Sequence, residues 1–135
     1  MPNANPNTIL NSSLPPQFRQ IRIELAREPS HPEGESTVAY VIVAPIDSDG
    51  RIDANLWRAH REACRIARLR PNRPNEHGHL VHRQGGGWAF HYDNGALPDD
   101  VGFHFADERF VAGEYVSVNE IGKMHTYRVA FVSRL

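Results

Sequence analysis

Only one stretch of this chain, Asp53 to Arg70 (DANLWRAHREACRIARLR), repeats its apolar residues with the 3.6-residue period of a helix. Every other patterned segment alternates or runs as strand. The chain is thereby confined to folds in which several strands surround or support one helix. Asp53 is placed to cap the first turn, its carboxylate accepting from unpaired backbone N–H groups. Pro71 stops the helix and biases Arg70 away from helical geometry. At about 100° per residue, Leu56, Ala59, His60, Ala63, Cys64 and Ala67 share one side, flanked by Trp57 and Ile66. Arg58, Arg61, Arg65 and Arg68 fall opposite them, with Glu62, as an arginine stripe.

Charge is distributed unevenly. From Arg51 to Arg73 seven arginines stand against Asp53 and Glu62, a local net of +5 in a chain whose total is −1. The segment from Asp93 to Glu120 holds seven acids and a single arginine, Arg109. Two readings follow. The stripe is a docking face for an anionic partner, an acidic protein surface or nucleic acid. Alternatively it is a solvated face paired with the chain's own carboxylates, such as Asp99, Asp100, Asp107 or Glu108. Guanidinium groups suit the first reading, since they grip carboxylate and phosphate with two parallel hydrogen bonds.

Residues 1 to 17 are rich in Asn, Pro and Ser, carry no charged side chain, and read as a disordered tail. Residues 18 to 135 then form a single domain. Ile21, Ile23 and Leu25 alternate with polar neighbours, and Thr37 to Ala44 is a β-branched run; these two pair as an antiparallel hairpin. His79 to Arg83 and Gly87 to Tyr92 form a second hairpin. A turn over Gln84 to Gly87 sets Val81 opposite Phe90 and His79 opposite Tyr92. Glu114 to Asn119 and Met124 to Ser133 form a third, turning at Glu120-Ile121-Gly122, with Tyr127, Val129 and Phe131 on one face. The order hairpin, helix, hairpin, hairpin predicts an α+β domain: an antiparallel sheet of five to seven strands with one amphipathic helix packed on one face.

Several chemistries drop out. Pro45 and Leu56 stand where a calcium loop through Gly50 needs carboxylates. The run Gly85-Gly86-Gly87 lacks the following helix and the Lys-Ser/Thr pair of a phosphate loop. The chain has no GxSxG, no dinucleotide fingerprint and no zinc spacing such as HExxH or CxxC. Cys64, the single cysteine, excludes an intrachain disulfide. No apolar run reaches membrane-spanning length, and a cytoplasmic location is the expectation.

Eight histidines are many for this length, and four of them, His77, His79, His82 and His91, fall within one hairpin. They are the runner-up site, for a metal ion or for hydrolase-type proton transfer. The leading expectation is a small binding domain with no cofactor and no catalysis of its own. It contacts an anionic partner through Arg58, Arg61, Arg65 and Arg68. A structural domain that forms homo-oligomers is the third reading.

Overall fold

A computed structural model describes residues 13–95 and 97–135. Eight strands are arranged in chain order: β1 Phe18–Leu25, β2 Glu35–Pro45, β3 Arg65–Leu69, β4 Glu76–His82, β5 Trp88–Tyr92, β6 Asp100–Phe103, β7 Tyr115–Glu120 and β8 Lys123–Arg134. Each pairs antiparallel with the next, and β8 returns to pair with β1, from Arg19↔Arg134 to Leu25↔Tyr127. The result is a closed up-and-down barrel. Closure leaves no unpaired sheet edge among these strands.

This overturns the expected α+β sheet with its long amphipathic helix. Helix α1 spans only Ala54–Ala59, a 3-10 turn covers Arg61–Ala63, and the remaining residues of the expected helix become β3. The reason lies in the sheet. Ala39 to Ile42 of β2 needs a partner on its second side, and Ile66 to Leu69 supplies it. Glu76 to His79 of β4 then takes the far side of β3. The sequence RIARL also alternates, and pairing its backbone on both sides, with β2 and with β4, binds it more firmly than one more turn of helix without a face to pack on. Asp53 caps α1 as expected, its carboxylate accepting from Asn55 N and Leu56 N at 3.0 Å each.

The first hairpin forms between the segments read from the sequence, with Ile21↔Ile42 and Ile23↔Tyr40 in register. The second is slipped by one residue. Leu80 pairs with Phe90, His79 with His91 and His82 with Trp88, because Arg83 N closes the turn on Gly87 O at 2.7 Å. A one-residue slip exchanges the two faces of a strand. Leu80 therefore points inward in place of Val81. The third hairpin turns on Ile121 and Gly122, both at positive φ (52° and 76°). Its β8 carries a bulge where Ile23 faces Val129 and Arg22 faces Phe131. The extra residue, Ala130, changes the phase, so Tyr127 and Val129 are buried while Phe131 is exposed.

The two ends of the barrel differ. The connections 46–64, 83–87 and 104–114 lie at one end, where Trp57 of α1 is buried and its indole N–H donates to Leu80 O at 2.8 Å. Trp88, Phe105 and Phe110 complete the seal: Trp57 meets Trp88 edge-on at 5.3 Å, and Phe105 meets Phe110 at 5.2 Å. The Phe105 ring lies over Gly102, where a Cβ would sit 2.5 Å from it. The connections 26–34, 70–75, 93–99 and 121–122 lie at the other end, called the mouth below.

No helix among the described residues is long and apolar enough to cross a membrane. The buried core is apolar apart from Asp100, while Arg22, Glu24, Arg65, His79, His91 and Arg128 of the strands lie outside it. A transmembrane barrel has the opposite polarity. The expected disordered tail falls mainly on residues 1–12, outside the described ones; of the remainder, Leu14 packs against the core.

Candidate functional site at the mouth of the barrel

Six polar side chains from six strands meet inside the mouth: Tyr40, Arg68, Tyr92, Asp100, Glu120 and Tyr127. Each occupies an inward phase. Arg68 follows Ile66 by two residues, and Glu120 continues the buried series Val116, Val118. Among the described residues Asp100 is the one charged residue that is buried, at 1% exposure. Arg68 spans both carboxylates, with one terminal nitrogen 3.3 Å from Asp100 Oδ2 and the other 3.3 Å from Glu120 Oε1.

The three phenols surround that bridge. Tyr40 Oη lies 2.8 Å from Asp100 Oδ2 and 2.7 Å from Glu120 Oε2. It has one proton for two carboxylates, so it serves one at a time while Arg68 holds both. Tyr92 donates to Asp100 Oδ2, and Tyr127 donates to Glu120 Oε2 at 2.5 Å. Burial pushes all three phenols above their ordinary pKa, and the adjacent carboxylates add to it. They remain donors across the accessible pH range. Burial opposes the Arg68 charge, but the oxygens of Tyr40, Asp100 and Glu120 outweigh it and hold its pKa above the usual value.

Two nitrogens stand out. Arg68 Nε and Arg70 Nε are buried and have no hydrogen-bond partner among the described residues. Arg68 lies near the end of β3, and Arg70 is the first residue beyond it. A buried donor left unpaired costs about 1–3 kcal/mol, and native structures rarely leave one without a partner. The Arg70 terminal nitrogen is 3.6 Å from Glu76. Burial and the nearby charges of Arg68 and Arg73 hold its pKa below the ordinary value, a local excess of positive charge.

A strap crosses beside this site. Glu28, in the β1–β2 connection, accepts at Oε2 from His125 Nδ1 at 2.9 Å. Its Oε1 lies 3.3 Å from His31 Nδ1 and accepts from Ser30 Oγ at 3.1 Å. The other face of His125 reaches the core network, Nε2 lying 3.7 Å from Glu120 Oε1. Burial raises the Glu28 pKa, but the hydrogen bonds from His125 and His31 overcome it, and the net shift is downward.

The arginines expected to share one helix face are dispersed. Arg58 is exposed on α1 and donates to Asn55 Oδ1 at 3.2 Å. Arg61, in the 3-10 turn, lies over the Trp57 ring at 4.9 Å. Arg65 is exposed on the outer face of β3, opposite His79. Arg68 is turned into the barrel. No continuous arginine-rich helix face exists, because only Arg58 of the four lies on the helix.

The histidines of the runner-up site also part. His77 is exposed on β4. His79 and His91 are register partners on the outside of the β4–β5 hairpin, while His82 stacks on Trp88 at 4.2 Å and meets Trp57 edge-on. Among the described residues no three His, Cys, Asp or Glu side chains converge on one point to hold a metal ion. Cys64 is fully buried, its thiol pushed by burial up to about 12, far from thiolate chemistry at neutral pH. No family model, no curated protein and no solved structure matches the chain.

The sequence pointed to Asp100 only as one possible partner of the arginines, and it gave no sign of Tyr40, Arg70, Tyr92, Glu120 or Tyr127 as site residues. One signal was available. Arg68 and Glu120 each sit in phase with buried apolar residues of their own strand, where a solvated charge has no place.

Proposed function

We propose that this protein is a small cytosolic binding barrel that takes an anionic small molecule at its mouth, with Arg68 and Arg70 as recognition groups. The observation that carries the reading is the pair of guanidinium Nε–H donors that are buried and unpartnered among the described residues, Arg68 near the end of β3 and Arg70 just beyond it, beside a network that is otherwise paired. Mouths of β-barrels are preferred ligand sites, because the wall supplies a rigid frame and the loops supply variation. Arg68 is held in place by Asp100 and Glu120, so its orientation is set before a ligand arrives. The tyrosines, kept protonated, donate to those carboxylates and stop them from repelling an anion as strongly as bare carboxylates would. No catalysis is assigned. The arginine helix face drops out of the reading together with the helix that carried it.

Calorimetric titration of the purified chain with inorganic phosphate, acetate, succinate and benzoate tests this. At least one of them is expected to bind with a single-site isotherm, and Arg70→Gln is expected to weaken it at least tenfold without lowering the melting temperature. Binding that is indifferent to Arg70→Gln, or no binding by any of the four, overturns the proposal and leaves the two donors to solvent.

A further inference from the structure

The β4–β5 hairpin carries a second polar arrangement, on the outside of the barrel and independent of the mouth. His79 and His91 are direct cross-strand partners, so their Cβ atoms lie about 4.5–5.5 Å apart. Each ring is held from behind by its own carboxylate. His79 Nδ1 is 2.7 Å from Asp93 Oδ1, and His91 Nδ1 is 2.8 Å from Asp99 Oδ1. Asp99 is itself fixed by Arg83 at 2.5 Å. A carboxylate on Nδ1 selects the neutral tautomer with its proton there, and this leaves a lone pair on Nε2. The strands cannot spread apart here, because they are pressed together at Gly78, where a Cβ would come within 2.1 Å of His91 O.

Both rings line one groove of about 370 Å³, with Trp57, Arg61, Glu62, Val81 and His82 among its walls. The charges of Arg61 and Glu62 offset each other. Arg65, the β3 neighbour of His79, is not part of the lining. Imidazole nitrogen is therefore the main polar group that the groove offers. Paired imidazole lone pairs with carboxylates behind them favour borderline divalent metals over hard cations or anions.

We propose that His79 and His91 form a two-histidine site for a transition-metal ion of the Zn²⁺, Ni²⁺ or Cu²⁺ class, solvent completing its coordination. With two protein ligands and no third converging among the described residues, the site is open and exchanges its metal readily. The same geometry excludes the other two histidines of the hairpin. His82 also lines the groove, but its ring is stacked on Trp88 at 4.2 Å, and His77 pairs across the sheet with Ala67, not with a histidine.

Titration of the full chain with Ni²⁺ and with Cu²⁺ provides the test, followed by calorimetry and by copper electron paramagnetic resonance. The parent is expected to bind one equivalent, with copper coupled to two nitrogens. His79→Gln or His91→Gln is expected to lower the affinity at least tenfold and to remove one nitrogen coupling. Asp93→Asn, which touches no metal, should weaken binding about tenfold by releasing the ring it orients. His77→Gln is the control and should match the parent. All four positions are on the outer face, so unchanged melting temperatures verify the fold. Parent-like stoichiometry and affinity in both His79→Gln and His91→Gln, or an equal loss in His77→Gln, overturns the proposal.

Discussion

At the capped end, Trp57, Trp88, Phe105 and Phe110 close the barrel with rings packed edge to face. At the mouth, Tyr40, Tyr92 and Tyr127 occupy comparable inward positions, but their hydroxyls converge on Asp100, Glu120 and Arg68. The difference lies in how each end responds to change. Ring packing is non-directional, and it degrades by the volume lost. A buried ionic network depends on every member, since removing one leaves its partners charged, buried and unpaired.

Removal of the central cation is the strongest test of that contrast. Arg68→Met is expected to destabilise the fold by about 3–5 kcal/mol, because Asp100 and Glu120 lose their counter-charge in a buried site. Urea denaturation measures it, and a loss below about 1 kcal/mol would mean that the mouth is solvated. At the capped end, Phe105→Leu keeps most of the buried volume and is expected to cost less than about 1.5 kcal/mol. The two changes lie at opposite ends and should add to within about 0.5 kcal/mol in the double variant. A large coupling term would show that the ends are one cooperative unit, not two.

Acid should separate the ends further. Glu28 at the mouth, bonded to His125, His31 and Ser30, and Asp99, bonded to Arg83 and His91, both have lowered pKa values in the folded protein, from reference values of 4.5 and 3.8. A carboxyl with a lowered folded pKa contributes stability that is present above its unfolded pKa. That stability is lost as pH falls through the folded pKa. The urea midpoint is therefore expected to fall as pH drops below about 4.5, and the slope to be shallower in Glu28→Gln. Phe105→Leu should lower the midpoint equally at all these pH values. A parent-like acid slope in Glu28→Gln would remove the strap from the account of the mouth.

The smallest effect concerns Cys64, between the 3-10 turn and β3. Its buried thiol, raised to about 12, should react slowly with a thiol reagent in the native protein and fast after unfolding. Rapid native labelling would place the start of β3 among the loosely held parts of the barrel.

The site was less legible than the strands. Tyr92 and Tyr127 read as core residues, and core they are; nothing in their own segments reveals that their hydroxyls meet carboxylates. Asp100 and Glu120 lie in an acidic half that read only as a possible counter-charge for arginines. Arg68 did find its partner there, in Asp100, but inside a barrel and not across a surface. The histidine hairpin was visible as a hairpin, yet a one-residue difference in its turn decided that His79 and His91, not His82 and His91, share a face.

By itself the sequence determined what short-range physics determines: the alternation of β1 and β5, the Asp53 cap, the glycine turns at residues 85–86 and 122, and the burial of Cys64. These depend on local hydrogen bonding, on allowed φ and on the period of side-chain directions. Only the tertiary structure decided that residues 65–69 are strand, that eight strands close on themselves, and which six polar groups share the mouth. Local propensity leaves RIARL nearly balanced between helix and strand. The balance tips when β2 and β4 each offer it a row of unpaired backbone groups, and that offer exists only once the barrel forms.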